Sequence, residues 1–192
     1  MSYADLLAGN GVLRGLIGPR EVPRLWDRHL VNCGRVAAEL APGDRVADVG
    51  AGAGLPGLVV AILRPDVSVT LIEPMLRRTT FLIEAVETLE LASVTVRRDR
   101  AEDARDLAGS FDVVLARAVA PLDRLAGWTV PLLRPGGRLL ALKGASAAEE
   151  LAAAGPTLDA LGVADAAVRT LGPSDQPTTV IEARRVALAR FT

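Results

Sequence analysis

Asp48-Val49-Gly50-Ala51-Gly52-Ala53-Gly54-Leu55-Pro56-Gly57 lies between two patterns of different period. Before it runs the short apolar pair Val46-Ala47, which reads as the end of a strand. After it Leu58, Val59, Ala61, Ile62 and Leu63 recur at helical spacing. The whole is a strand–turn–helix unit. Its glycines can take φ > 0, and they leave no Cβ between the main chain and an approaching ligand. A turn of this kind, opening a helix at the end of a parallel strand, is where α/β sheets bind nucleotide-like ligands.

Two chemistries fit the glycines. Gly52, Gly54 and Gly57 satisfy G-x-G-x-x-G, the dinucleotide fingerprint, whereas Asp48, Gly50, Gly52 and Gly54 satisfy D-x-G-x-G-x-G, the methyltransferase form. The acid separates the two. Asp48 would repel a pyrophosphate and hold a ligand carrying positive charge and hydroxyls, which points to an adenosyl-sulfonium cofactor. The C-terminal pattern agrees. Val163–Leu171 and Thr178–Val186 read as strands on either side of Gly172-Pro173-Ser174, an antiparallel pair. Such a pair suits a seven-stranded methyltransferase sheet better than a six-stranded parallel dinucleotide fold. An NAD-dependent dehydrogenase and a non-catalytic RNA or protein binder of the same fold stand as alternatives.

Outward from the turn, residues 1–44 read as a small helical cap. Within it Leu25, Trp26, Leu30, Val36, Ala37 and Leu40 recur after Val22-Pro23, and Pro42-Gly43-Asp44 ends the pattern. From Arg45 strands and helices alternate. Val67–Ile72, Val94–Val96, Phe111–Leu115 and Arg138–Leu142 read as strands. Leu76–Leu91, Leu122–Leu133 and Ser146–Leu161 read as helices. Alternation of this kind predicts right-handed βαβ crossovers and a parallel sheet covered on both faces. The expected fold is therefore α/β and Rossmann-like, a single domain over residues 1–192 with the core at 45–192.

Composition narrows the partners. Half of the residues are hydrophobic, 23% are charged and the net charge is −1. The chain thus lacks the large basic excess of a protein that binds nucleic acid through charge alone. No apolar run reaches the roughly 20 residues that span a bilayer. The first residues, broken by Asp5, Asn10 and Arg14, carry no signal pattern. Cys33 is the single cysteine, so intrachain disulfides and Cys-based zinc sites are excluded. A cytoplasmic protein without a metal is expected. Cys33 itself reads as a small buried residue of the N-terminal helix.

The carboxyl ends of the strands gather the candidate site. Glu73 closes the second strand at the distance where an acid meets ribose hydroxyls. Asp99-Arg100-Ala101-Glu102 follows the third, Arg117-Ala118-Val119-Ala120-Pro121 the fourth, and Lys143-Gly144 the fifth.

Taken in order, Arg28-His29-Leu30, Asp48 to Gly57, Arg100-Ala101-Glu102, Arg117-Ala118 and Ala141-Leu142-Lys143-Gly144 resemble one family. It is that of the bacterial 16S rRNA guanine-N7 methyltransferases, ribosomal small subunit methyltransferase G, also called glucose-inhibited division protein B. The Gly54-Leu55-Pro56-Gly57 continuation and the Ala-Leu-Lys-Gly strand end carry most of the specificity. The resemblance spans roughly residues 22 to 145 and implies a class I methyltransferase fold, S-adenosylmethionine as donor and S-adenosylhomocysteine as product. The implied target is a guanine in 16S rRNA, as naked RNA, small subunit or assembly intermediate, met by a monomer. By position, the resemblance gives Asp48, Gly50, Gly52, Gly54, Leu55, Glu73, Ala101, Glu102 and Arg117 to the cofactor. It gives Arg117, Lys143, His29 and Arg28 to the substrate side.

Overall fold

The computed structural model describes residues 1–186. Its strands are β1 Arg45–Val49, β2 Ser68–Ile72, β3 Val94–Arg97, β4 Phe111–Arg117, β5 Leu133–Leu142, β6 Val163–Leu171 and β7 Thr178–Arg185. They form one seven-stranded sheet in the order β3-β2-β1-β4-β5-β7-β6. The first five are parallel to one another, and β7 runs antiparallel to both β5 and β6. This is the mostly parallel sheet with an antiparallel end that the sequence predicts.

The helices are α1 Tyr3–Leu6, α2 Val31–Ala37, α3 Gly57–Leu63, α4 Leu76–Thr88, α5 Leu122–Thr129 and α6 Ala147–Ala160. They divide between the two faces. On one, Val46, Leu71, Leu115 and Leu140 pack with Cys33 and Val36 of α2, Leu58 and Val60 of α3, and Phe81 and Leu82 of α4. On the other, Ala47, Val49, Val114 and Leu139 pack with Leu122 and Leu125 of α5 and with Leu158 of α6. Central strands covered on both faces read as continuous apolar runs, as β4 does from Val113 to Ala116. The strand order reverses between β1 and β4, so a crevice opens where their carboxyl ends diverge.

Boundaries differ from the sequence pattern where prolines and glycines intervene. The segment from Val22 is no continuous helix: a 3-10 turn at Pro19–Arg24 passes into a π-helical turn at Leu25–Leu30, and only then into α2. Pro23 has no N–H to give the Pro19 carbonyl, so an α-helical register begun at Pro19 cannot continue through it. Helix α4 stops at Thr88, because Glu90 takes a left-handed φ of 54°. Helix α5 ends at Thr129, and Val130–Leu132 tightens into a 3-10 turn around Pro131. Strand β5 begins at Leu133, ahead of Arg138, by pairing with Phe111 across a bulge.

Candidate active site

The glycine turn is tied down from three directions. Gly50 and Ala51 N–H donate to the Ile72 carbonyl at 2.9 and 3.2 Å, fastening the turn to β2. Gly57 N–H donates to Asp48 Oδ2 at 2.8 Å, so the two ends of the motif close on each other. A Cβ at residue 57 would lie 2.7 Å from that same oxygen, which makes Gly57 a packing requirement. The Tyr3 hydroxyl donates to the Ala53 carbonyl at 2.7 Å from the opposite side. Gly50, Gly52 and Gly54 take φ of 69°, 58° and 95°, values that L side chains adopt only with strain.

Three hollows meet beside this turn. The first, of about 550 Å³, is lined by Gly50, Glu73, Met75, Ala101, Glu102 and Trp128 among others. A recess of about 230 Å³ continues past Gly52 and Leu55 to His29 and Arg117, and shares Gly50, Arg78 and Ala118 with the first. The third, about 970 Å³, opens on the far side of Arg117 and is lined by Arg28, Asn32, Lys143, Glu150 and Thr178. Arg117 and Ala118 border both the recess and this largest hollow.

Glu73 is buried at the seam. Its Oε2 accepts from Gly52 N–H at 3.0 Å and its Oε1 from Met75 N–H at 3.0 Å, with Arg78 3.4 Å away. Oε2 thus accepts from both Gly52 N–H and the Arg78 guanidinium, and Oε1 keeps a second lone pair for a ligand hydroxyl. Ala101 and Glu102 line the same hollow as Glu73, at the end of the loop leaving β3.

Arg117 ends β4 with its side chain between two residues of the N-terminal segment. One guanidinium nitrogen contacts His29 Nδ1, and the other lies 3.3 Å from Cys33 Sγ. His29 Nε2 is 2.8 Å from Glu21 Oε2. Lys143 Nζ donates to the Ala120 carbonyl at 2.8 Å and pairs with Glu150 Oε2 at 2.6 Å. Burial acts against the Glu150 carboxylate, but the Lys143 ammonium overcomes it and holds its pKa below the usual value. Arg28 pairs with Glu21 at 3.2 Å on the rim.

Two expectations change with this geometry. Asp48 was expected to face a cationic ligand; it is fully buried under the turn and contributes no surface to the hollows around it. Burial, with Glu73 nearby, pushes its carboxyl up to about 7 against the opposing pull of Gly57 N–H and Arg117. Its second oxygen, Oδ1, has no hydrogen-bond partner among the described residues. Asp48 therefore organises the turn. Gly54 likewise serves the turn, packing against Leu58 and the Tyr3 hydroxyl. Cys33 is buried as expected, and burial raises its thiol to about 11, which disfavours a thiolate nucleophile.

Sequence reasoning passed over several groups that the fold brings to these hollows. Asn32, Arg78, Glu150 and Thr178 line them and Glu21 backs His29; the five come from five different elements. Only Arg78 had a local signal, as a cation in the first turn of the helix after Glu73. Among the described residues no group of three or more His, Cys, Asp or Glu side chains is placed to hold a metal, and no helix is long and apolar enough to cross a membrane.

Among solved structures, a SAM-dependent O-methyltransferase from Thermotoga maritima superposes with a TM-score of 0.63 at 16% identity, covering 88% of this chain and 71% of that one. M. jannaschii TYW2 in complex with AdoMet superposes at 0.64 with 18% identity, covering 81% and 74%. At such identities the likeness establishes the fold alone. Curated relatives reach much further. The "Ribosomal RNA small subunit methyltransferase G" of Salinispora tropica is 58% identical over 96% of this chain and 80% of that protein. The protein of that name from Corynebacterium efficiens is 50% identical over 96% and 82%. The family model described as "GidB: rRNA small subunit methyltransferase G" matches residues 1–179, and the chain belongs to that family.

Proposed function

We propose that this protein transfers a methyl group from S-adenosylmethionine to N7 of a guanine in 16S rRNA, releasing S-adenosylhomocysteine. One observation carries the reading: Arg117 and Ala118 border both the recess beside the glycine turn and the largest hollow. The recess and the hollow behind it fit the donor. Ala101, Met75 and Trp128 would hold the adenine, Glu73 the ribose hydroxyls, and Gly50 and Gly52 the amino acid tail. The third hollow, about 970 Å³, has room for an extruded base.

When bound, S-adenosylmethionine supplies a sulfonium methyl; the N7 lone pair forms the new N–C bond as the methyl–sulfur bond breaks. N7 carries no proton, so no general base is required. The task left to the protein is alignment and exclusion of water. Arg117 stands where it can hold O6 or a phosphate beside N7. Lys143 and Glu150 place a donor next to an acceptor in the same hollow. That order complements guanine, whose O6 acceptor adjoins its N1–H donor; adenine presents the reverse. Lys143 uses two of its three N–H groups internally and keeps one.

In this reading the partner is 16S rRNA, the small subunit or an assembly intermediate, met in the cytoplasm by a monomer. The test is transfer of labelled methyl from S-adenosylmethionine to 16S rRNA and to small subunits from a strain lacking the activity, followed by nucleoside analysis. Label in 7-methylguanosine is expected. Absence of label from both substrates would sink the proposal.

A further inference from the structure

Arg117 is held by a hydrogen-bond chain whose direction is fixed by chemistry. A guanidinium has donors only. The His29 Nδ1 that Arg117 touches must therefore be the acceptor, which puts the ring proton on Nε2. Nε2 lies 2.8 Å from Glu21 Oε2, so Nε2–H donates to the carboxylate. Guanidinium, imidazole and carboxylate thus form one directed line, with the neutral ring in the middle. We propose that Glu21 and neutral His29 are positioning residues that hold the Arg117 guanidinium at the methyl-transfer cavity. This rests on the methyltransferase reading of that cavity.

The backbone around Arg117 makes such support useful. Ala118, the next residue, sits at φ 53°, and Val119 packs over Gly50. The main chain is thereby committed to the turn, while the long arginine side chain still has rotamer freedom to lose. Contacts to His29 on one nitrogen and Cys33 on the other remove that freedom before substrate arrives. A misplacement of about 1 Å at such a site costs on the order of 100-fold in rate.

Protonation of His29 breaks the line, because Nδ1–H would then point at a guanidinium N–H. The charged groups about the ring are Glu21 from the 3-10 turn, Arg28 from its own turn, Arg117 from β4 and, across the recess, Arg78 from α4; Arg24 acts on Glu21, and Cys33 of α2 on the other nitrogen of Arg117. Burial, with Arg117 and Arg28, lowers the imidazole pKa, and Glu21 opposes them without prevailing. The ring is neutral at the pH of the cell, and the line is intact there.

His29 is the single histidine of the chain, so imidazole ¹⁵N spectra report on it alone. The Nε2–H tautomer is expected in the full-length protein, with Arg117→Ala raising the midpoint at which the ring titrates. In methyl transfer, the acid limb of the rate profile follows that midpoint. Glu21→Gln removes the anion favouring imidazolium and moves the limb to lower pH. His29→Asn offers an amide oxygen near the Nδ1 position, recovers transfer relative to His29→Leu and shows no acid limb. His29→Leu loses on the order of 100-fold while binding S-adenosylhomocysteine normally. An Nδ1–H tautomer, or an acid limb unmoved by both Glu21→Gln and His29→Asn, overturns the proposal. Should the protein methylate no rRNA, the functional reading fails, and the ¹⁵N spectra still decide the hydrogen-bond chain.

Discussion

Asp48→Asn tests whether the motif's acid acts through burial. Burial lifts the folded-state carboxyl from 3.8 to about 7. A raised pKa in an acid means that the folded protein binds the proton more tightly than the unfolded chain. The resulting stability is complete below about pH 4 and is lost as pH rises through about 7. A shift of roughly three units corresponds to about 4 kcal/mol, of which roughly 2–3 kcal/mol falls between pH 5 and 8. Asparagine keeps an oxygen for Gly57 N–H and cannot ionise. Its amide adds a pH-independent offset beside the space where Oδ1 finds no partner. The slope is therefore the diagnostic quantity. Urea denaturation of both proteins from pH 5 to 8 should show the wild type losing stability relative to the variant as pH rises. In thermal unfolding the gap between them changes by roughly 5–10 °C over the same range. Contributions from His29 and surface carboxylates are common to both proteins and cancel in the difference. Parallel stability curves over that range would refute the account of Asp48 as a desolvated acid.

Other perturbations address neighbouring parts of the site. Gly50→Ala forces a side chain to φ 69° with its Cβ 2.7 Å from Val119; calorimetry should find S-adenosylhomocysteine binding roughly 5–30-fold weaker with the fold intact. Arg117→Ala should reduce methyl transfer on the order of 100-fold in a single-turnover assay while leaving S-adenosylhomocysteine affinity essentially unchanged. Tyr3→Phe strips the buried Ala53 carbonyl of its donor and should lower unfolding stability by about 1–3 kcal/mol, measured by urea titration.

What could be read from the chain alone follows the range over which each interaction acts. The sheet was legible because each strand and helix carries its own period, and the antiparallel end because Gly172-Pro173 leaves no room for a crossover helix between β6 and β7. Gly50 and Glu73 were placed by the same local logic, since the length of α3 and β2 fixes where β2 ends. Asp48 shows where that logic stops. Its presence is local, but its role depends on Gly57 closing over it and on α3 excluding water, and desolvation then weakens the charge on which the sequence argument relied. The arrangement about Arg117 lies further out of reach. Glu21 and His29 are eight residues apart, but Pro23 breaks the helical phase between them, so no fixed periodicity aligns them. His29 and Arg117 are 88 residues apart and meet only when α2 packs on the sheet. Lys143 and Glu150 meet across a strand-to-helix corner, where neither a period of two nor one of 3.6 applies. The glycine motif supplies a ligand-accessible backbone. The groups that give the site its chemistry are assembled around it by packing, and the motif's own acid is spent on holding the turn that the rest of them surround.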